Sequence, residues 1–317
     1  MLAPDHGSVM VRVRMTKPTA DQSSELAALW LPDDPDDSGA FEAQRSLAAA
    51  VAQVEGIRPF APSTRELQAA IGRESCHIDE LRAIVERAPT IAIRVMQRAN
   101  GDQQKPCAEL GAATTLLGTE GLGALAREMS ASERCHHEDS PAAEIIRHSA
   151  HCGQMARRLA RQFFPPAAET AFTCALLHDI GKLLMLQVAD DLADNHGPAP
   201  YPTLLERSKD GAVQLHSLEQ ELYGYDHDVL AAHTLRAWSI PSPIPEVIAG
   251  HHQPNLTKES DETVRKLVAL VRLANQLSYE ASTSGTSAVL DDADMHILGI
   301  EGPTLDAFRR QAQATIQ

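Results

Sequence analysis

The sequence predicts an all-α protein that consists of two packed groups of helices. Aromatic residues make up only 4% of the chain, whereas apolar residues as a whole make up 43%. Ala and Leu are abundant, and apolar residues recur at helical spacing along most of the chain; both features favour helices over a β-sandwich. The apolar content is that of a globular chain and not of a disordered one.

Charge and cysteine usage narrow the function classes. The formal charge of −15 argues against a nucleic-acid surface, because binding to phosphates requires an excess of Lys and Arg. No stretch approaches the roughly 18 apolar residues of a membrane span. The five cysteines are odd in number and form no C-x-x-C, which predicts reduced thiols and a cytoplasmic protein.

The N-terminal half is predicted to be a tail followed by a first helical subdomain. Residues 1–40 are interpreted as a partly disordered tail with a short strand at Val9–Met15. Residues 41–135 form the N-terminal helical subdomain, where apolar periodicity predicts helices around residues 47–54, 67–71 and 78–85. A fourth helix follows Pro89 and ends at Asn100, and glycines divide residues 108–129 into two short helices.

The C-terminal half is predicted to be a helical bundle over residues 136–281, beyond a polar segment at 132–139. Ser140-Pro141 opens a long helix that ends at Pro165-Pro166. An apolar helix containing His178 follows, and then a loop at 190–202. Further helices are predicted at 203–222, 226–239, 243–251 and 262–281. Residues 282–317 form a C-terminal extension with one short helix.

His178-Asp179 is the most informative feature of the chain. The pair lies in the apolar run from 175 to 184, where a carboxylate beside an imidazole is costly unless something compensates for it. A bound cation is the usual compensation, since both side chains are good ligands for first-row divalent metals. Lys182 follows one turn after His178, where its ammonium group would meet an anion at such a metal.

Histidines are concentrated in the C-terminal half: eleven of the fourteen lie between residues 136 and 252. His148 shares a helix face with Glu144 and with apolar residues, so this face should point inward. His227 begins a helix, His251-His252 closes another, and Asn275 lies on a core-like helix. Any single buried histidine is more often a hydrogen-bonded core residue than a ligand, and His216, His233, His136 and His137 are interpreted as surface or loop residues. The joint occurrence of the others predicts a shared metal or anion site.

Several segments together resemble the HD superfamily of metal-dependent phosphohydrolases and, more closely, the HDOD (HD-related output domain) proteins of bacterial signalling. The resemblance covers roughly residues 45–280. It is carried by residues 87–100, by Leu116-Leu117-Gly118, by residues 176–184 and by residues 222–252, in this order. It implies a two-lobed helical architecture with an HD-like bundle as its second lobe.

The resemblance also implies a ligand set for a divalent metal such as iron, manganese, zinc or magnesium. His148, His178 and Asp179 match three ligand positions of HD enzymes, and Asn275 stands where the family has a later Asp. Glu144, His227 and His251-His252 match further positions of the related HD-GYP phosphodiesterases. Gln253-Pro254-Asn255 follows where that family has its Gly-Tyr-Pro signature, so hydrolysis of a cyclic dinucleotide is not supported.

Two functions follow from the resemblance. The first is a signalling module, non-catalytic or weakly catalytic, that acts through contacts with a separate signalling protein. The second is a metal-dependent phosphohydrolase that acts on a nucleotide or phosphoester, with Asp179 and Lys182 as its catalytic residues. A purely structural scaffold is a weaker third alternative, because it explains Asp179 and Lys182 only as an internal ion pair.

Overall fold

The computed structural model describes residues 38–54, 56–101, 106–193, 201–209, 214–252, 261–282 and 291–316. Within these ranges the protein is built from helices, and the only β-type pairing is an isolated bridge between Phe60 and His136. The all-α prediction is therefore confirmed. Residues 1–37, which include the strand expected at Val9–Met15, lie outside the described residues.

Five helices form the described part of the N-terminal half. They are α1 (Ser38–Gln53), α2 (Ala61–Ile71), α3 (Ile78–Val85), α4 (Pro89–Asn100) and α5 (Leu110–Ser130). Helix α5 is broken at Gly118, which has φ 61° and ψ −173°, so the expected pair of short helices is confirmed. Only glycine adopts such a backbone conformation readily.

Ten helices and one 3₁₀ turn form the remainder of the described chain. They are α6 (Pro141–Phe163), the turn Pro165–Ala167, α7 (Ala168–Leu177), α8 (Ile180–Ala193), α9 (Tyr201–Ser208), α10 (Leu215–Tyr223), α11 (His227–Ala237), α12 (Ile244–Gly250), α13 (Glu262–Ser282), α14 (Asp292–Leu298) and α15 (Gly302–Ile316).

The structure corrects the predicted boundaries at four places. The helix expected to run through His178 is two helices, α7 and α8, that meet at this residue. The single helix expected at 203–222 is also two, α9, which ends at Ser208, and α10, which begins at Leu215. Helix α8 extends to Ala193, into the loop expected at 190–202, and α1 begins inside the tail expected at 1–40.

The C-terminal extension contains two helices where one was expected. Asp291 caps α14 by accepting a hydrogen bond from the Ala293 backbone N–H, and Gly299 ends this helix at φ 65°. Helix α15 then begins at Gly302-Pro303, since proline is favoured in the first turn of a helix. These local signals mark the ends of the additional helix.

The buried apolar residues of both halves form one contiguous core. In the second half α6 packs against α7 and α13, while α11 packs against α8 and α12. In the first half α5 packs against α2, α3 and α4. Helix α1 lies against α11 and thus contacts the C-terminal bundle, and Ser46 Oγ donates to the Tyr223 carbonyl at 3.3 Å. The subdomain boundary at 135/136 stays a prediction.

A buried ionic network joins the two halves. The guanidinium of Arg157, on α6, donates to both oxygens of Glu86 at 2.9 and 3.0 Å and to Glu169 at 2.8 Å. It also lies over the Phe172 ring, 3.6 Å from the ring centroid. Because Arg157 is only 7% exposed, this pairing is well shielded from solvent.

One helical stretch of the described chain is long and apolar enough to cross a membrane, namely Pro165–Val188. It is 94% buried within the protein over its most apolar window. Its apolar surface is thus covered by other helices, as in the core helix of a globular fold.

Candidate metal centre

The junction of α7 and α8 holds His178 and Asp179, which are 0% and 2% exposed. His178 follows the last residue of α7 and donates from Nδ1 to the Ala175 carbonyl at 2.8 Å. This bond fixes the ring orientation and leaves Nε2 with a free lone pair. Nε2 of His178 has no hydrogen-bond partner among the described residues, although it is buried.

A close approach of α8 to α11 brings His227 next to Asp179. A Cβ atom at Gly181 would lie 1.9 Å from the His227 carbonyl oxygen, so glycine alone permits this contact. As a result, Nε2 of His227 lies 3.7 Å from Asp179 Oδ1. The other carboxylate oxygen of Asp179 accepts from Lys182 Nζ at 2.8 Å.

Glu219, on α10, holds His227 in a single orientation. Its Oε2 accepts from Nδ1 of His227 at 2.6 Å and from the His227 backbone N–H at 3.0 Å. Its Oε1 accepts from the Tyr201 hydroxyl. This carboxylate–histidine pairing is typical of metal-ligating histidines, because it directs Nε2 towards the ion.

The end of α12 supplies His251 and His252. His251 Nδ1 donates to the Ile248 carbonyl at 2.7 Å, and its Nε2 lies 3.8 Å from Asp179 Oδ1. The rings of His251 and His252 have centroids 4.2 Å apart. His216, which the sequence interpretation assigned to the surface, is half-buried and stacks on His252 at 5.5 Å.

Helices α6 and α13 contribute His148 and Asn275. Nε2 of His148 lies 2.9 Å from Asn275 Oδ1, within hydrogen-bonding distance, so Asn275 faces the site. The rings of His148 and His178 have centroids 5.3 Å apart. Glu144, by contrast, has a side chain that is 68% exposed and lies 3.6 Å from Lys209. The expectation that Glu144 points inward is wrong, because its side chain extends into solvent towards Lys209.

These side chains form two donor groups that share Asp179. One consists of His148, His178 and Asp179, and the other of Asp179, His227, His251 and His252; in each, the ligand atoms lie within 4.8 Å of one another. Nε2 of His178, His227 and His251 and Oδ1 of Asp179 are buried without hydrogen-bond partners among the described residues. Buried lone pairs of this kind are costly unless they bind something, so the residues fit a divalent cation.

The electrostatics favour the neutral, metal-binding form of most of these imidazoles. Burial lowers the pKa of His178 and of His251 to about 4, and it also lowers the pKa of His148 and His252. At Asp179 burial disfavours the charge, but the neighbouring His178 and Lys182 outweigh it and hold the carboxyl pKa well below its usual range.

His227 differs from the other histidines. Burial opposes its cationic form, yet the carboxylates of Glu219 and Asp228 raise its pKa well above the usual range. His227 therefore lies between two acidic groups that favour its protonated form. A cation at its Nε2 would replace that proton, since ligands bind metals in their deprotonated form.

Sequence reasoning missed three residues of this site: Tyr201, Glu219 and Asp228. The role of Glu219 was hidden because residues 203–222 were interpreted as one continuous helix. Asp228 stands directly beside His227 in Tyr225-Asp226-His227-Asp228, and this adjacency was the available signal. Asp228 is 1% exposed, and neither of its carboxylate oxygens has a hydrogen-bond partner among the described residues.

Comparison with known proteins supports the resemblance. Residues 57–254 match the HDOD domain family. The fold is similar to that of the MmoQ response regulator from Methylococcus capsulatus (TM-score 0.64, 19% identity, 80% of this chain and 98% of that chain). It is also similar to a virulence factor from Campylobacter jejuni (TM-score 0.63, 15% identity, 85% and 98%).

A curated relative matches at the level of sequence. It is an uncharacterized protein of Treponema pallidum, 21% identical over 238 residues, which cover 72% of this chain and 44% of the relative. The chain thus matches less than half the length of that relative. At these identities the solved structures establish a common fold.

Proposed function

The chain belongs to the HDOD domain family, and from this premise we propose that it is a regulatory protein of a cytoplasmic signalling system that acts by binding a separate protein. The MmoQ protein, which is similar in fold, is described as a response regulator. The free thiols of all five cysteines agree with a reducing compartment. The net charge of −15 favours a protein partner over a nucleic acid.

We further propose that the site holds a divalent metal. His148, His178 and Asp179, with the amide oxygen of Asn275, would hold one ion, and His227, His251 and His252 would join Asp179 at a second. Imidazole-rich sites suit iron, manganese or zinc better than magnesium, which prefers oxygen ligands. When bound, such an ion would supply Lewis acidity and a more acidic bound water.

The observation that carries the non-catalytic assignment is the closure of the site by the described residues. His178, His227, His251 and Asp179 are at most 2% exposed. Lys182, the group expected to bind phosphate, donates instead to Asp179 at 2.8 Å. A substrate would have to displace this ion pair before a phosphate reached the ion.

The metal would then act through the helices that it ties together. The donor side chains come from α6, from the α7–α8 junction, from α11, from the end of α12 and from α13. Loss of the ion removes a common attachment point of these helices, and their outer faces would shift with it. A partner that binds those faces would sense whether the site is loaded.

Metal analysis paired with an activity assay tests the proposal. Protein purified without chelator should contain iron, manganese or zinc in stoichiometric amount, and His178→Ala should lose most of it. His233→Gln, on α11 but outside the donor groups, should retain the metal. Hydrolysis of bis-p-nitrophenyl phosphate should be equal for wild type and His178→Ala; metal-free wild-type protein would contradict the metal assignment.

A partner assay tests the regulatory assignment. Cross-linking in the native host should join wild type and His233→Gln to a defined protein, and purified partner should bind metal-loaded protein more tightly than chelator-treated protein. Equal partner affinity with and without metal would contradict the coupling.

A metal-dependent phosphohydrolase remains the second candidate, and one observation favours it. The ammonium group of Lys182 lies next to Asp179 and to imidazole nitrogens that have no hydrogen-bond partners among the described residues. Such an arrangement can hold an ion beside a phosphoester. Asp179 and Lys182 would be the catalytic residues. Metal-dependent turnover of a phosphoester that disappears in His178→Ala would establish this function in place of the non-catalytic one.

A further inference from the structure

We propose that Asp228 is a ligand of the ion held by His227 and His251, and that it supplies negative charge to that ion. The inference rests on the proposed metal centre and adds one residue to it. The species bound at this position would be a divalent cation that accepts both imidazole and carboxylate ligands.

The first argument is the state of the carboxylate itself. Asp228 is 1% exposed, and both of its oxygens lack hydrogen-bond partners among the described residues. The two neighbouring acidic residues differ: Asp226 accepts from the Val229 backbone N–H and from Gln220, and Glu219 accepts from His227 and Tyr201. A buried carboxylate with no hydrogen-bond donors is strongly unfavourable, so Asp228 requires a cationic partner.

The second argument is distance. Asp228 Oδ1 lies 2.9 Å from Nε2 of His227 and 3.5 Å from Nδ1 of His251. Two ligand atoms bound at about 2.1 Å and at a right angle lie about 3 Å apart. The observed separation matches that of two adjacent ligands on one ion, and Asp179 Oδ1 lies 3.7 Å from the same nitrogen.

The third argument is charge. The interior of the site contains the carboxylates of Asp179, Glu219 and Asp228 and the ammonium of Lys182. With neutral imidazoles, these groups sum to two negative charges, which favours the binding of divalent cations. Without Asp228 the sum would be a single negative charge, so this carboxylate strengthens the attraction for a cation.

The competing explanation is that Asp228 serves only as the counter-ion of a protonated His227. Both roles place the carboxylate beside the same nitrogen, but they differ in what the carboxylate does when a metal is present. A counter-ion affects the stability of the metal-free protein, whereas a ligand sets the affinity for the metal.

The experiment measures metal stoichiometry and affinity in Asp228→Asn by competition with a chromophoric chelator, using Zn²⁺ and Mn²⁺. Asp228→Asn should reduce the affinity for one of the bound ions by at least about 10- to 100-fold, the loss typical when a group that orients a metal ligand is removed. The ion held by His148 and His178 should be unaffected. Asp228→Glu keeps the carboxylate and should recover part of the affinity. Such recovery would show that the loss in Asp228→Asn does not come from misfolding.

Asp294→Asn is the matched control, since Asp294 is a buried carboxylate of the same half that is paired with Arg272. It should bind metal like wild type. Unchanged affinity and stoichiometry in Asp228→Asn, with altered stability of the metal-free protein alone, would overturn the ligand role in favour of the counter-ion. If neither wild type nor Asp294→Asn binds metal, the metal centre as a whole is refuted.

Discussion

Gly181 sets how closely α8 approaches α11, and the substitution Gly181→Ala tests whether this contact assembles the metal centre. The added methyl group would lie 1.9 Å from the His227 carbonyl oxygen and 2.7 Å from its carbonyl carbon. Both are backbone atoms, so no side-chain rotation relieves the overlap. The helices must move apart by about 1.5 Å to restore an ordinary contact.

That displacement affects both stability and metal binding. Overpacking of this kind costs about 3 kcal/mol or more, which in a chain of this size lowers Tm by roughly 6 °C or more. Metal–ligand distances tolerate only about 0.2 Å of error. We therefore expect Gly181→Ala to lose the ion bound by His227 even under conditions where the variant remains folded.

Urea unfolding and metal analysis of the same samples measure the two effects. Gly72→Ala is the control, because Gly72 has φ −71° and a Cβ there would lie 3.4 Å or more from its neighbours. Its stability should change by less than about 1 kcal/mol, in the stabilising direction. If Gly181→Ala unfolds within about 0.5 kcal/mol of wild type and keeps its metal, the close approach does not determine the site.

Three further predictions concern buried charges. In Arg157→Lys the free energy of unfolding in urea should fall by about 2 to 4 kcal/mol, because lysine cannot form the paired hydrogen bonds to Glu86. In the control Arg65→Ala, which removes an exposed ion pair, it should fall by less than about 1 kcal/mol. Equal losses in the two variants would contradict this prediction. Glu219→Gln should reduce metal affinity about 10- to 100-fold with little change in helicity by circular dichroism, and an unchanged affinity would show that the carboxylate does not position its histidine. Burial lowers the pKa of His233 to about 4, so between pH 6.5 and pH 4 this residue binds more protons in the unfolded chain than in the folded one. As the pH falls through this range, the free energy of unfolding of wild type should therefore decrease by on the order of 2 kcal/mol through this residue. His233→Gln should therefore show a smaller decline in stability between pH 7 and pH 4.5 than wild type, and parallel pH profiles would refute the assignment.

The fold was predictable because apolar periodicity and cap residues act locally. Ser140-Pro141 opens α6 and Gly118 breaks α5, and both signals were legible in the sequence. The break between α9 and α10 was not recognised, because the apolar pattern continues across Lys209-Asp210-Gly211. Where periodicity and a stop signal disagree, packing of the two segments decides, and the sequence does not reveal that packing.

The histidines of the site were predictable, but their supporting groups were not. His148, His178, His227 and His251 stand on apolar faces or at helix ends, which already marks them as unusual. Glu219 has an ordinary place on an amphipathic helix, and its function arises only because the chain folds α10 back beside His227. Glu144 shows the opposite error: it lies one turn before His148, but its side chain is 68% exposed and lies 3.6 Å from Lys209.

His178 and His251 share a construction that explains both why the sequence pattern was informative and where it misled. Each follows the last residue of an apolar helix, α7 or α12, and each donates its Nδ1 proton to the carbonyl three residues earlier, at Ala175 and Ile248. The final carbonyls of a helix lack the backbone N–H four residues later, and the imidazole donates to one of them. The same bond fixes the ring and leaves Nε2 directed into the interior. A histidine at such a position looks in sequence like part of a buried helix, because the cap keeps helical φ and ψ angles. It is the end of that helix, and ending there frees the ring to be a ligand.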